Sequence, residues 1–376
     1  MRQILFFILL LWITQSNIIA LENTTCKNCH PLIYAEYQHS MHSHSSLFGD
    51  PTHNAVWKRH PAKVKRNYKC ASCHTPSDHS VTKGMLPTPN HAEIDEPISC
   101  QTCHRIERIE EHAKANKNIY TRKKKYFFSM DHKRKGEKVV FKEERSFLGI
   151  FKKKSGSPYH DIDYGNEIYY NGRICLGCHD HKQNNKGFTV CDLEVKQKDS
   201  KETCISCHMP QKKGSLANQK QSRKHAFHGI SIHQKPKHLS RYIQFSINKQ
   251  SSGFDVYIKN KATHTLFPQP LRMSQLRVSI ERNDKLLTLP IHSFMRIIGT
   301  AGKPSMPWLA TEVLKDTTIK AHETRKIHYN TPLKKGDHLI IEFGYYLVNP
   351  KAAKQLRITD TKVKKIIILN KKRIAI

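Results

Sequence analysis

The chain has 376 residues and a formal net charge of +33, from 64 Lys and Arg against 31 Asp and Glu, with its 25 histidines counted as neutral. Such a charge makes binding to nucleic acid the first function to consider. Beyond the amino-terminal segment, no run is long and apolar enough to cross a bilayer, which excludes a protein built from several membrane-spanning helices.

The amino terminus has the pattern of a secretory signal. Met1-Arg2-Gln3 is basic, the run from Ile4 to Ile13 is apolar, and Ala20 is a small residue suited to cleavage. The apolar core of about ten residues is too short to span a bilayer alone, so we predict a signal peptide over residues 1–20. An uncleaved membrane anchor is the alternative if Ile18 and Ile19 extend the core. Export in either form argues against nucleic acid as a partner.

Ten of the eleven cysteines fall in one repeated motif, Cys-x-x-Cys-His, and only Cys191 is left over. The five copies are Cys26-Lys27-Asn28-Cys29-His30, Cys70-Ala71-Ser72-Cys73-His74, Cys100-Gln101-Thr102-Cys103-His104, Cys175-Leu176-Gly177-Cys178-His179 and Cys204-Ile205-Ser206-Cys207-His208.

This motif is the attachment signature of c-type haem. The two thiols bind the porphyrin covalently, and the histidine supplies the proximal nitrogen to the iron. Zinc-binding Cys-x-x-Cys pairs are the alternative, but in them the following residue is free to vary. Five histidines in that position arise by chance on the order of once in a million. The motifs therefore predict five covalently attached haem c groups with their irons. Because this attachment takes place outside the bacterial cytoplasm, they also predict a periplasmic protein.

Two domains are predicted after the signal peptide. Residues 21–238 hold every motif, and a haem buries far more apolar surface than a side chain. We therefore expect a mixed fold, with mainly helices and loops wrapped around five haems there, including helices at 31–42 and 106–113. Residues 239–376 lack cysteine and carry period-two apolar runs, which predict an antiparallel β-sandwich. These runs are Tyr242–Ile247, Phe254–Ile258, Leu276–Ile280, Leu339–Phe343 and Lys365–Leu369.

A basic segment separates the third motif from the fourth. Residues 114–154 contain fifteen Lys or Arg against four Asp or Glu, and we predict an inserted hairpin or surface loop. It is either a docking patch or a solvated insertion. Haem propionates offset part of the net charge. The remainder suits an acidic redox partner or an anionic membrane surface, although a basic solvated surface with no partner explains it equally well.

Twenty histidines remain once the five proximal ones, His30, His74, His104, His179 and His208, are assigned. A second imidazole on an iron supports electron transfer, whereas a missing one leaves the iron open for chemistry. So many spare histidines favour mostly bis-histidine irons. Position relative to the motifs favours His42, His112, His160 and His225 as distal ligands, with less support for His60, His79, His132 and His228.

Several stretches resemble the multihaem cytochrome c-552/c-554 family. They are Cys26–His30 followed by Tyr34–His42, then Val190–Asp192 leading into Thr203–Pro210, and finally His225–Gly229. The resemblance covers about residues 22–235. It implies periplasmic electron transfer through closely stacked haems, and it supports His42, His160 and His225 as distal ligands.

Two departures from the wider group weaken a transfer of enzymatic activity. The active haem of the nitrite reductases looks like Cys-x-x-Cys-Lys, which is absent here, and the hydroxylamine-type enzymes carry more than five haems. Downstream, Asn260–Pro268 looks like a turn of the β domains appended to such cytochromes. Its usual glycine is replaced by Thr263, so we carry no ligand role onto His264.

The leading hypothesis is a periplasmic pentahaem electron-transfer protein, whose redox partners are a quinol-linked or soluble donor and a terminal reductase. The second is an oxidoreductase with one open haem that acts on a small nitrogen or sulfur compound. The third is a zinc-loaded binding protein.

Overall fold

The computed structural model describes residues 22–145, 152–196, 201–218, 224–230 and 236–376. The predicted signal peptide and the tip of the predicted hairpin, residues 146–151, lie outside these ranges. Among the described residues, no helix has the length and apolar character needed to cross a membrane.

The helices are short, and most lie in the half of the chain that carries the motifs. They are α1 (Asn23–Lys27), α2 (Pro31–Gln38), α3 (Pro51–Trp57), α4 (Ala71–His74), α5 (His79–Thr82), α6 (His91–Ile94), α7 (Cys100–His104), α8 (Glu167–Tyr170), α9 (Leu176–His179), α10 (Cys204–His208), α11 (Pro236–Leu239) and α12 (Pro350–Gln355).

Local signals set several of these helices. Pro31 and Pro51 occupy first positions, where the missing N–H costs nothing. The Asp50 carboxylate accepts a hydrogen bond from the backbone N–H of Thr52 at 2.8 Å and caps α3. The helix predicted over 31–42 ends at Gln38, and a 3-10 turn, Met41–His44, follows it.

Small sheets fill the spaces between the motifs, so the expectation of mainly helices and loops is only partly met. The strands are β1 (Ile106–Glu110), β2 (Lys117–Tyr120), β3 (Tyr126–Phe128), β4 (Lys138–Val139), β5 (Lys142–Arg145), β6 (Lys152–Ser155), β7 (Asp161–Asp163), β8 (His181–Gln183), β9 (Thr189–Asp192), β10 (Gln211–Lys213) and β11 (Lys224–Ala226).

These strands form pairs or a three-stranded sheet of order β3-β7-β4. The helix predicted over 106–113 is wrong, because Ile106–Glu110 is β1 and pairs antiparallel with β2. β-branched Ile106 and Ile109 suit a strand. The basic segment contains the β5–β6 hairpin.

From Ile243 onwards the regular structure is mainly β-strand, and we call this region the β-rich half. The strands are β12 (Ile243–Lys249), β13 (Phe254–Asn260), β14 (Met273–Arg282), β15 (Lys285–Thr288), β16 (His292–Phe294), β17 (Arg296–Thr300), β18 (Lys303–Pro304), β19 (Glu312–Asp316), β20 (Thr324–Tyr329), β21 (His338–Tyr346) and β22 (Ile366–Ala375).

Two of its antiparallel sheets enclose one hydrophobic core. One has the order β12-β13-β20, and the other has the order β15-β14-β21-β22 with β16 also paired to β14. Alternate residues of β14 and β21 point into the core, and Leu276, Ile280, Leu339 and Phe343 are fully buried. A third sheet, β18-β17-β19, lies outside this core. The period-two runs of the sequence thus mark strands with one buried face.

Replacing Phe343 by alanine tests this core. The side chain is 0 % exposed, so Phe343→Ala removes well-packed atoms and leaves a cavity, at a cost of about 3–5 kcal/mol of unfolding free energy. Thermal unfolding followed by β-sheet circular dichroism measures the loss. Val313→Ala, at an exposed position of β19, is the control, and equal shifts in the two variants would contradict the assigned core.

Candidate functional site

Each attachment motif folds into a helical turn that ends at its histidine. In the first two motifs, the backbone N–H of His30 donates to Cys26 O at 2.8 Å and that of His74 donates to Cys70 O at 2.9 Å. Residues four apart lie on the same face of such a turn, so the first cysteine and the histidine face one haem. No motif cysteine forms a disulfide, so both sulfur atoms of each motif are available for attachment.

Caps fix two of these turns. The Ser99 hydroxyl accepts a hydrogen bond from the backbone N–H of Thr102 and starts the third motif. Thr203 and Ser206 form a capping box at the fifth, in which each side chain accepts from the other's backbone N–H. Such caps contribute about 1 kcal/mol each and define where these two motif turns begin.

The cysteine side chains of different motifs lie close together. Cys26 is beside Cys100, Cys73 is beside Cys178, and Cys175 is beside Cys204. The first motif therefore adjoins the third, the second adjoins the fourth, and the fourth adjoins the fifth. Asn23 reinforces the first contact, because its Oδ1 accepts a hydrogen bond from the backbone N–H of Cys100 at 2.9 Å.

Four proximal imidazoles face a second imidazole across a gap of constant width. An iron between two imidazoles holds the ring centres roughly 6 Å apart, because each metal–nitrogen bond is about 2 Å and each ring centre lies about 1 Å behind its nitrogen. The ring-centre separations are 6.2 Å for His30 and His160, 6.0 Å for His42 and His179, 6.2 Å for His104 and His228, and 6.3 Å for His208 and His264. The donor set therefore fits iron bound between paired histidines.

Backbone carbonyls orient several of these rings. Nδ1 lies 2.8 Å from Phe128 O in His104, and 2.7 Å from Ala226 O in His228. With Nδ1 donating to a carbonyl, Nε2 is left as the free lone pair that a metal needs. Leu216 O takes the same role for His30 at 2.7 Å.

Burial favours the neutral form of the four rings that face the proximal histidines. It lowers the pKa of His42 to about 4 and that of His228 to about 3, with a smaller effect from the facing proximal ring in each case. Burial likewise lowers the pKa of His160 and His264. A metal-binding imidazole must be unprotonated, so these side chains are ready for ligation at neutral pH.

His264 reaches the fifth motif because its turn is joined to the chain before that motif. The backbone N–H of Thr265 donates to Leu193 O at 2.9 Å, and that of Lys196 donates to Thr263 O at 2.6 Å. The Thr265 hydroxyl also donates to a carboxylate oxygen of Glu194 at 2.6 Å. This short ladder carries a histidine of the β-rich half to His208.

The second motif has a different neighbour. Within the described ranges, the ring against His74 is that of His53, whose centre is 4.1 Å away and tilted by 44°. This gap is too narrow for an iron. His53 also has other partners, because its Nε2 lies 3.0 Å from the hydroxyl of buried Tyr68 and its Nδ1 lies 3.2 Å from Ser45 O.

The structure departs from two of the four favoured distal candidates. His225 lies in β11, where its Nε2 is 3.1 Å from Glu36 Oε1, and His228 takes the position opposite His104. His112 follows β1, and its Nε2 is 2.6 Å from Glu110 Oε1. In each case a carboxylate oxygen lies next to the Nε2 atom that was predicted to bind iron. His42 and His160 do lie opposite proximal rings.

Two of the less favoured histidines also lie away from the proximal rings. His60 packs against Trp57 and Trp308, and His132 packs edge-on against Tyr170. The spare cysteine, Cys191, lies in β9 opposite Lys182, and burial raises its pKa to about 11. Its thiol therefore stays protonated and unreactive at neutral pH.

A buried carboxyl lies behind the second motif. Glu93 is 0 % exposed, and its Oε2 accepts a hydrogen bond from the hydroxyl of Thr75, the residue after His74, at 3.1 Å. Burial raises the pKa of Glu93 to about 7, and the nearby charge of Asp78 adds to the rise. The folded protein therefore favours the protonated form of this side chain.

Two comparisons with known proteins bear on the attachment motifs and on the fold. Residues 25–105, which hold the first three motifs, match the family described as Cytochrome c554 and c-prime. The fold is similar to the crystal structure of a penta-heme cytochrome c552 from Thermochromatium tepidum, with a TM-score of 0.70 at 20% sequence identity, over 95% of this chain and 100% of that chain. No curated protein sequence matches the chain.

The fold is that of a penta-heme c-type cytochrome, and the family match covers the first three attachment motifs. The predicted set of five covalently attached haem c groups with iron agrees with both findings. The predicted resemblance to the cytochrome c-552/c-554 family is confirmed as well. Both similarities support electron transfer in general.

The buried carboxyl generates a prediction about pH. The pKa of Glu93 rises from 4.5 to about 7 on folding, so wild-type stability falls as pH rises through this window and the carboxyl must ionise. Glu93→Gln keeps an oxygen for Thr75 but cannot ionise. Its Tm relative to wild type should therefore rise between about pH 5 and about pH 8.

Thermal unfolding at several pH values measures this difference. Glu107→Gln is the control, because that side chain is exposed and its removal should cause no such trend. A Tm difference for Glu93→Gln that stays constant across the range would contradict the assigned protonation.

Proposed function

We propose that this cytochrome transfers electrons in the periplasm, after removal of residues 1–20, and that four of its five irons are bis-histidine. The distal ligands are His160, His42, His228 and His264. The observation that carries this proposal is the repeated separation of 6.0–6.3 Å between paired ring centres.

The closeness of cysteines from different motifs suggests the order in which the attachment sites would hold haems. The first site adjoins the third, and the fourth adjoins both the second and the fifth. Cys103 of the third motif is close enough to Cys175 of the fourth to interact with it electrostatically. The proposed path therefore runs 1-3-4-5, and site 2 branches from site 4.

The haems would supply the one-electron couple, and the chain supplies the iron ligands and fixes their orientation. Two neutral imidazoles per iron block access to substrate and suit reversible electron transfer. Hydrogen bonds to backbone carbonyls fix the rings in one orientation, and such outer contacts tune the electron density that a ligand offers. The motif turns hold neighbouring sites in contact, so no large movement is needed between transfers.

Removing one distal ring should open one iron. His264→Ala or His42→Ala should convert one low-spin haem to high spin, because each variant deletes one of two imidazoles on an iron. Magnetic circular dichroism of the oxidised protein distinguishes the two spin states. His112→Ala, which removes a histidine bound to Glu110, is the matched control and should leave the spectrum unchanged. An unchanged spectrum in His264→Ala would remove His264 from the ligand set.

A second candidate function rests on the second motif. The ring centres of His74 and His53 are only 4.1 Å apart, and Tyr68 bonds the Nε2 that His53 would offer. This favours an iron at His74 with one open coordination position. Such an iron suits the alternative of an oxidoreductase acting on a small nitrogen or sulfur compound.

Carbon monoxide binding counts the open positions. The reduced wild-type protein should bind one equivalent, at the haem held by His74, because the other four irons have two imidazoles each. His42→Ala should bind a second equivalent and so calibrates the titration. No binding by the wild type would rule out the open iron and leave the pure carrier.

A further inference from the structure

Four consecutive cations form an exposed loop between β2 and β3. Arg122, Lys123, Lys124 and Lys125 are all exposed, and we call them the cationic loop. Many other cations of the basic segment are neutralised, for example in the ion pairs of Arg134 with Glu137, Lys135 with Glu167 and Lys138 with Asp163.

Within the described part of the chain, no carboxylate forms an ion pair with any member of the cationic loop. Lys125 Nζ donates to Pro158 O at 3.2 Å, and Lys123 Nζ lies 4.8 Å above the ring of Tyr126. Of the carboxylates near Tyr126, Asp163 accepts its hydroxyl, and Asp161 and Glu107 interact with it only through their charges. Four positive charges against the two of Asp161 and Glu107 leave the loop a net attractor of anions.

The backbone ties the cationic loop to two attachment sites. On one side, Arg105, the residue after proximal His104, donates through Nη2 to Thr121 O at 2.9 Å, and its carbonyl accepts from the Thr121 N–H at 3.0 Å. On the other side, the N–H of Asp161, the residue after His160, donates to Lys125 O at 2.7 Å. The loop thus lies between the third site and the distal side of the first.

An exposed aromatic side chain lies beside the loop. Tyr159 is 54 % exposed, it follows the Pro158 carbonyl that Lys125 holds, and it directly precedes His160. Phe127, two residues beyond the loop, lies with its ring centre 5.3 Å from that of His160. An exposed aromatic ring bordered by charges is the usual composition of a protein-binding patch.

We propose that the cationic loop and Tyr159 form the docking face for a soluble redox protein with an acidic surface, at the first and third haem sites. This proposal rests on the proposed electron-transfer function and names the chemistry of the partner. Charge steering brings the acidic partner to the loop, and Tyr159 supplies apolar contact next to a haem ligand. The position of the charges over two haem sites favours a redox protein over a membrane surface, which would need no haem nearby.

The transfer itself is a single electron. With a flavodoxin as the probe, its anionic hydroquinone would be oxidised to the neutral semiquinone, and one haem iron held by the attachment motifs would be reduced from ferric to ferrous. No proton moves and no bond forms or breaks.

Two variants of equal net charge test the location. Lys123→Glu/Lys124→Glu reverses two charges of the loop, and Lys285→Glu/Lys303→Glu reverses two exposed charges of the β-rich half. The probe is an acidic flavodoxin. Calorimetry measures binding of the oxidised flavodoxin to the oxidised cytochrome, and stopped-flow absorbance measures reduction by the hydroquinone, each at low and high ionic strength.

The loop variant should lose measurable binding, and its second-order rate constant should fall by about tenfold or more at low ionic strength. The control variant should keep its binding and lose no more than about twofold in rate, since its reversed charges belong to β15 and β18 and not to the cationic loop. High salt should bring all three proteins to a common rate, because it screens exposed charges. Equal losses in both variants, or no loss in either, would overturn the proposal.

Two further measurements, vesicle binding and reduction by dithionite, distinguish a membrane site from a protein-docking site and a docking failure from a loss of electron transfer. If phosphatidylglycerol vesicles bind the wild type and not the loop variant, while flavodoxin reacts alike with both, the loop is a membrane site and the redox-protein proposal is overturned. Dithionite needs no docking face. If it reduces the haems while the flavodoxin arms fail, only the docking proposal falls, and if it cannot reduce them, the electron-transfer function falls with it.

Discussion

In the proposed account, an iron between two imidazoles sets the distance between their rings, and this distance constrains how the chain folds. The ring centres must lie roughly 6 Å apart, and the four pairs that meet this requirement join residues far apart in the sequence. His30 pairs with His160, which lies between the third and fourth motifs, His208 pairs with a ring from the β-rich half, and His42 pairs with the fourth motif. The haem sites therefore connect regions that share little conventional core.

This explains the scarcity of long elements around the motifs. The longest helix there, Pro31–Gln38, has eight residues, and the sheets have two or three strands. Such elements are too short to be stable alone. The chain compensates with caps and with hydrogen bonds such as that between Asn23 and Cys100. The β-rich half, by contrast, buries its own apolar side chains.

The sequence identified the attachment chemistry because a covalent site needs a fixed local spacing, and Cys-x-x-Cys-His carries that spacing within five residues. The distal ligands depend instead on long-range packing. His225 and His228 lie three residues apart, and only the contact of His225 with Glu36 decides between them. His264 was passed over because Thr263 replaces a glycine, yet the bonds at Thr263 and Thr265 still bring the ring to His208. In the same way, Ile106 and Ile109 have helical spacing but pair as a strand.

Electron paramagnetic resonance of the fully oxidised protein tests the central claim most directly, because it reports the ligand field of every iron at once. The paired imidazoles predict signals from four low-spin irons, and the narrow gap at His74 predicts one high-spin iron. Two or more high-spin irons, or a preparation with no haem iron signal, would contradict an interior in which paired histidines hold the cofactors.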